Sequence, residues 1–356
     1  MDNSCCWLTI VQTALVVKPA FRRSACPGGV KLPSAVRTAS YRGATANSIE
    51  WTAPSDRDYL VEMRGLPSVL SRREWLSLVA VELTACVGQF GVPPRMRPWD
   101  RDFPAYRVIG NVHYVGSTDL AEFLITTPEG HVLLDTGFEA SVPRLTEHVR
   151  GLGHRFEDIK VVLSSHAHID HVQAHAVVRE RTHARVVASE ADAAFIASGG
   201  KGETVYDGVY SWRPCPVDRI VGDGERVEIG GTTLTAHLTP GHTKGATTWT
   251  MQVDHDGRRL DVVFFPSANV NRGVRLVDNP RYPDIVRDFE QSFTTWKALP
   301  CDVFLGAHGE FYDMKEKYER LHDGSRSNPF IDPAGYRRSI EDAERRFREE
   351  LASERG

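Results

Sequence analysis

His166-Ala167-His168-Ile169-Asp170-His171 places three imidazoles and a carboxylate within six residues, directly after the apolar run Ile159-Lys160-Val161-Val162-Leu163. That run reads as a strand buried on both faces, and a helix is expected from the polar cluster through about Arg181. On an extended or turning segment, residues two apart project to the same side, so His166 and His168 can hold one metal ion. Asp170 and His171 lie further round the turn and can hold another. Imidazole combined with carboxylate suits a borderline ion such as zinc better than calcium or magnesium. Asp170 could instead cap the following helix, but a cap uses one side chain and leaves the three histidines unexplained.

Each ion needs ligands from elsewhere in the chain. Pro240-Gly241-His242-Thr243 and Gly306-Ala307-His308-Gly309 each put a histidine at a strand exit among small residues that let backbone approach closely. Together with the hexapeptide they would complete two three-ligand sites, each with room for water. The remaining histidines (His113, His131, His148, His154, His175, His183, His237, His255 and His322) lack that setting and read as surface or core positions.

Around these motifs the chain alternates strands and helices. Strands are expected at 106–109, 111–115, 122–126 and 131–135, the last two flanking the turn Thr127-Pro128-Glu129-Gly130. Val142, Leu145, Val149 and Leu152 have helical spacing. Further strands are expected at 184–188, 226–229, 232–238, 247–253, 260–265 and 302–305, with a helix over 282–299. Tyr336, Ile340, Ala343, Phe347 and Leu351 form one apolar stripe on a charged C-terminal helix. The pattern is that of a layered α/β protein.

Composition limits the function classes. The chain has 356 residues, 41% hydrophobic and 25% charged, which is ordinary for a globular protein. Its 43 basic and 47 acidic residues give a net charge of −4, without the basic excess of a nucleic-acid binder. No apolar run is long enough for a transmembrane helix. Residues 1–62 show no sustained period and read as disordered or as an over-annotated start, with translation beginning near Met63. Residues 63–90 read as an export segment: Ser71-Arg72-Arg73 resembles a twin-arginine signal, and Leu83-Thr84-Ala85-Cys86 resembles a lipobox. Cys86 is then a candidate lipid anchor, and the mature protein is expected in the periplasm or outside a bacterial cell; the alternative for this segment is an ordinary surface helix with Arg72 and Arg73 on its wet side. Residues 91–325 are expected to form the catalytic domain, with 326–356 as a helix docked on it. Cys215 and Cys301, each beside proline, either form a bridge in an oxidising compartment or stay as inert thiols.

The hexapeptide, the Pro-Gly-His-Thr turn and the Gly-Ala-His turn together resemble the metallo-β-lactamase superfamily over residues 106–318. The resemblance implies an αββα sandwich, two facing mixed sheets with helices outside. Asp135-Thr136-Gly137 resembles the family's turn beneath the metal site. Within the superfamily, the strand ending at Phe265 exits into Pro266-Ser267-Ala268-Asn269, which offers neither the bridging aspartate of some members nor the cysteine of others. A serine there, with Gly241-His242-Thr243-Lys244-Gly245 and Asn269-Val270-Asn271-Arg272-Gly273, is similar to subclass B3. By that resemblance His166, His168 and His242 hold a first zinc ion, and Asp170, His171 and His308 a second. Asp170 would also orient the attacking water, while Ser267 and Asn269 would lie at the substrate carboxylate or near the second metal site. The implied activity is zinc-dependent hydrolysis of a small-molecule β-lactam, giving antibiotic resistance, by a metal-activated hydroxide and without a covalent intermediate. The alternative is another hydrolase of the same fold, such as a lactonase or thioesterase.

Overall fold

The computed structural model describes residues 91–324 and 327–356. The expectations for residues 1–62 and 63–90, including Arg72, Arg73 and Cys86, lie outside the described residues. No helix among the described residues is long and apolar enough to cross a membrane.

The first sheet has strand order β1 to β7. β1 (Tyr106–Ile109), β2 (Val112–Tyr114), β3 (Phe123–Ile125) and β4 (His131–Leu134) pair antiparallel. β5 (Ile159–Leu163), β6 (Arg185–Ser189) and β7 (Arg219–Val221) continue the sheet in parallel. Parallel pairing requires crossovers, and helices supply them. α1 (Val142–Gly151) follows β4, α2 (Ile169–Val172) and α3 (His175–Thr182) follow β5, and α4 (Glu190–Ser198) follows β6.

The second sheet is built from consecutive antiparallel pairs, β8 (Arg226–Ile229), β9 (Thr232–Leu238), β10 (Thr247–His255) and β11 (Arg258–Phe265). α5 (Ile285–Ala298) then leads to β12 (Val303–Gly306), which joins β11 in parallel. α6 (Met314–His322) and α7 (Pro333–Arg355) complete the described chain. Both sheets are mixed, helices accompany them, and the architecture is α/β.

Alternation along the strands makes the layers. In the first sheet Val132, Leu134, Val161 and Leu163 meet Leu234, Ala236, Trp249, Met251 and Val262 of the second. Their neighbours Leu133, Val162 and Val186 face the opposite way, onto Val142, Leu145, Val149 and Ile196 of the helices. This explains why β5 is apolar at four of five positions: it is buried on both faces, and only Lys160 is exposed. On the second sheet Trp296 of α5 packs its ring on Phe265 at 4.9 Å and donates its indole N–H to Thr248 Oγ1 at 2.7 Å. The α7 stripe of Tyr336, Ile340, Ala343, Phe347 and Leu351 is buried, with Phe347 against Phe289 and Phe293 of α5.

Three local readings change. The helix expected to run from the histidine motif to Arg181 is two short helices, broken between Val172 and His175. The strand expected to reach Asp135 ends at Leu134, because Asp135 adopts φ 59°, outside the β region. The additional elements α4, β7 and α6 are also present. α4 has a capping signature, Ser189 Oγ accepting from the Asp192 N–H, but its alanine-rich body carries little helical period. Cys215 and Cys301 are both free, and burial pushes the Cys215 thiol up to about 11.

Trp249 is fully buried between the sheets and donates its indole N–H to Ser164 O at 3.0 Å. Trp249→Ala should lower the unfolding free energy by about 3–5 kcal/mol, read as an earlier midpoint in urea titration.

Candidate metal centre

The hexapeptide leaves the end of β5 where Asp135 waits beneath it. The left-handed backbone of Asp135 turns its carboxylate under the next strand. Oδ1 accepts the Ser165 N–H at 2.7 Å, and Oδ2 accepts the Ser165 hydroxyl at 2.6 Å and the His171 Nδ1–H at 3.1 Å. Since the Ser165 hydroxyl is committed as a donor, its oxygen accepts from His166 Nδ1 at 3.0 Å. His166 and His171 are thus both held with Nδ1 as the donor, which leaves Nε2 as the edge that faces the ligand groups.

Two groups of side chains result, and within each the ligand atoms lie within 4.8 Å of one another: His166, His168 and His242, and Asp170, His171 and His308. The six residues expected from the sequence are therefore brought together. In the first group the rings stand 4.7–4.8 Å apart, centroid to centroid. His242 is aimed by its own turn. Its Nδ1–H donates to Asn269 O at 2.7 Å, and its carbonyl accepts from Asn271 Nδ2 at 2.8 Å. Gly241 precedes it at φ 137°, with Phe289 so near that a Cβ would sit 2.6 Å from its ring. Only glycine meets both conditions.

In the second group His308 Nδ1–H donates to Asp119 Oδ2 at 2.8 Å, while Asp119 Oδ1 accepts the Glu310 N–H at 3.0 Å. His171 Nε2 and His308 Nε2 face each other at 3.3 Å, and each lies 3.6 Å from Asp170 Oδ2. With both Nδ1 atoms turned to carboxylates, two Nε2 atoms and a carboxylate oxygen converge on one point. That arrangement favours positive charge there, whether a proton on imidazole or a metal ion in its place.

Electrostatics separates the groups. Burial, then the neighbouring imidazoles, hold His166 and His168 well below the usual imidazole value, and burial lowers His242 to about 4. All three are neutral at pH 7, the form that binds metal. At His171 burial opposes the charge, but Asp170, Asp135 and Glu122 outweigh it and raise the pKa to about 9. The second group favours positive charge. Neutral imidazoles with a carboxylate suit a metal such as zinc.

Apart from Asp135, the residues that brace this geometry were not singled out by sequence. Asp192, buried on α4, accepts the Ala167 N–H at 2.7 Å and the Thr243 hydroxyl at 3.2 Å, so it pins the hexapeptide to the His242 turn. Burial raises its pKa to about 7. Asp119 and Glu203, the latter 3.8 Å from His168 Nε2, complete the set. Only Asp192 had a local signal, the Ser-x-x-Asp cap. Ser267 is buried, its Oγ accepting the Asn269 N–H at 3.2 Å, whereas Asn269 is exposed beside His242. Of the other histidines, His175 is a satisfied core group, bonded to Ser164 Oγ and Thr136 Oγ1 at 2.8 Å each.

A groove of ≈830 Å³ opens beside the centre, lined by Val92, Pro94, Arg97, Ile169, Val209 and Tyr210. Trp99 stands edge-on to His308 at 5.5 Å. Arg95 stacks over Tyr206 and over Tyr210 of the groove lining, at 5.4 and 5.0 Å.

Comparison with known proteins gives a consistent result. The sequence model of the metallo-beta-lactamase superfamily matches residues 123–251. The FEZ-1 metallo-beta-lactamase of Legionella gormanii is 42% identical over 72% of this chain and 98% of its own, with a TM-score of 0.71. BJP-1, a subclass B3 metallo-beta-lactamase of Bradyrhizobium japonicum, is 36% identical over 73% and 97%, TM-score 0.68. A beta-lactamase from Chitinophaga pinensis is 33% identical over 74% and 98%, TM-score 0.68.

Asp135→Ala leaves the Ser165 N–H, its hydroxyl and the His171 Nδ1–H without an acceptor in a buried place. The variant should unfold about 3–5 kcal/mol more easily, measured by urea titration in the presence of chelator so that metal binding does not enter.

Proposed function

The chain belongs to the metallo-β-lactamase superfamily, is most like its subclass B3 members and is a hydrolase, and from that premise we propose that it hydrolyses the amide bond of β-lactams with two zinc ions per chain. One observation carries this reading. The two ligand groups are complete without any residue from the turn after β11, where Pro266-Ser267-Ala268-Asn269 supplies neither carboxylate nor thiol.

His166, His168 and His242 would hold the first ion, and Asp170, His171 and His308 the second. Bound there, the ions would supply a water of lowered pKa as nucleophile and polarisation of the lactam carbonyl. The protein's part is to fix that geometry. Asp135 and Asp119 hold the His171 and His308 rings so that neither can swing. Asp170, whose Oδ2 lies 3.6 Å from the Nε2 of each of those histidines, is the residue we assign to orienting the nucleophile. No side chain needs to attack: the Ser267 hydroxyl is buried and occupied by the Asn269 N–H, so a covalent intermediate is not part of the scheme. We assign Asn269 to direct contact with the substrate carboxylate, with Ser267 setting its backbone. Trp99, edge-on to His308, stands on one side of the second group. The export-like Ser71-Arg72-Arg73 and Cys86 support a periplasmic or secreted enzyme, where β-lactam hydrolysis would confer antibiotic resistance.

Protein begun near Gly88 should hydrolyse a carbapenem, followed by loss of its ultraviolet absorbance. Chelation should abolish turnover and zinc should restore it. His168→Ala and Asp170→Ala should each lower kcat/KM by at least about 100-fold while the circular dichroism spectrum stays unchanged. Full activity in either variant would sink the ligand assignment. Two zinc ions bound without β-lactam turnover would redirect the reading to a lactone or thioester substrate.

A further inference from the structure

The loop after α4 closes at its neck, where the Trp212 N–H donates to Gly199 O at 3.3 Å. From it Glu203 turns inward and is only 2% exposed. Its Oε2 accepts the backbone N–H groups of Val205, at 2.9 Å, and of Tyr206. Its Oε1 accepts the Thr204 hydroxyl at 3.1 Å and faces His168 Nε2 at 3.8 Å. His168 Nε2 is itself buried and has no hydrogen-bond partner.

Two incomplete groups therefore look at each other. Capping the turn at 204–206 needs an acceptor but no charge, and a buried carboxylate without a cation is costly. The nearby guanidinium does not meet this need, since Arg281 donates to the Glu203 carbonyl and pairs with Asp207. Ring geometry gives the charge a use. If His168 ligates through Nδ1, its Nε2 must carry the proton, and that N–H then has an acceptor within a small closing movement. The imidazole becomes more basic toward the metal, and the ring can no longer rotate. Tyr206, on the same turn, lies edge-on to His168 at 5.2 Å, so the loop touches this ring by two routes.

We propose that Glu203 is the positioning carboxylate of His168, fixing the tautomer that the first metal ion needs, and that loop closure and occupancy of that ion stabilise each other. The inference rests on assigning His168 to the first ion. It does not depend on the identity of the substrate. By linkage, an ion that draws His168 Nε2–H toward Glu203 also tightens the turn that the same carboxylate caps.

Zinc affinity measured by competition with a chromophoric chelator tests this in the full chain, alongside amide hydrogen exchange at Val205 and Tyr206. Glu203→Gln keeps an oxygen for the turn but removes the charge. The zinc ion assigned to His166, His168 and His242 should then dissociate about 10–100-fold more readily. Exchange without zinc should match the wild type, and the slowing that zinc produces at those amides should disappear. Glu203→Asp keeps the charge on a shorter stem and should bind zinc more tightly than the Gln variant. Equal weakening in both variants would mean that only side-chain shape matters and would overturn the proposal. Unchanged affinity in Glu203→Gln would overturn it as well. Wild-type protein that bound no zinc would overturn the ligand assignment and this inference together.

Discussion

The carboxylate of Asp135 is the constraint on which the rest of the centre depends. It receives His171 directly and His166 through the Ser165 hydroxyl, so one buried group sets the tautomer of a histidine in each ligand group. It reaches that place because its backbone leaves β4 at φ 59°, which stops the strand and turns the side chain beneath the exit of β5. A non-glycine residue in that conformation is uncommon, and here the three hydrogen bonds it accepts offset the strain.

The two groups share this anchor but differ in electrostatic character. The first is made of imidazoles that are neutral because they are buried and crowd one another. The second is dominated by carboxylates, with Asp170 inside it and Asp135 and Asp119 behind its histidines. The first presents neutral donors, and the second presents an excess of negative charge. A cation entering the second group meets that negative charge directly and takes the place of the proton His171 favours, while one entering the first meets neutral imidazoles with a single buried carboxylate, Glu203, behind them. The asymmetry therefore comes from the chain itself, before any ligand is considered.

Much of this was legible in the sequence because it is local. β5, the hexapeptide, and the turns at His242 and His308 each announce themselves within a few residues, and their chemistry narrows the metal. The bracing residues are not local. Asp119 meets His308 across 189 positions, and Asp192 meets Ala167 across 25. Neither carboxylate is distinguishable in sequence from a solvated one. Glu203 is harder still, since its loop of glycine, lysine and threonine reads as ordinary surface while the folded chain buries its acid. Strand ends were misplaced for a similar reason: Asp135 continues the apolar run in text, but its side chain is needed as an acceptor and its backbone bends to supply it.

The centre also requires both sheets at once. The first sheet contributes the exit of β5, and the second contributes the turn between β9 and β10 and the exit of β12. The seam between them is stitched at the ligands: the Thr247 N–H donates to Ser165 O at 2.8 Å, Trp249 donates to Ser164 O, and the Ala121 N–H donates to Ala307 O at 3.0 Å. Each of these bonds adjoins a ligand-bearing segment. In an unfolded chain His166, His242 and His308 are far apart, and the entropy of gathering them falls on the packing of the sandwich rather than on the metal. Any ion bound across the seam is then bound only by the packed state, and its binding free energy adds to the stability of that state. The apolar interface of Leu163, Trp249 and Val262 and the polar cluster above it are, in that sense, one structure: the first sets the distance between the halves, and the second reads it out as coordination geometry.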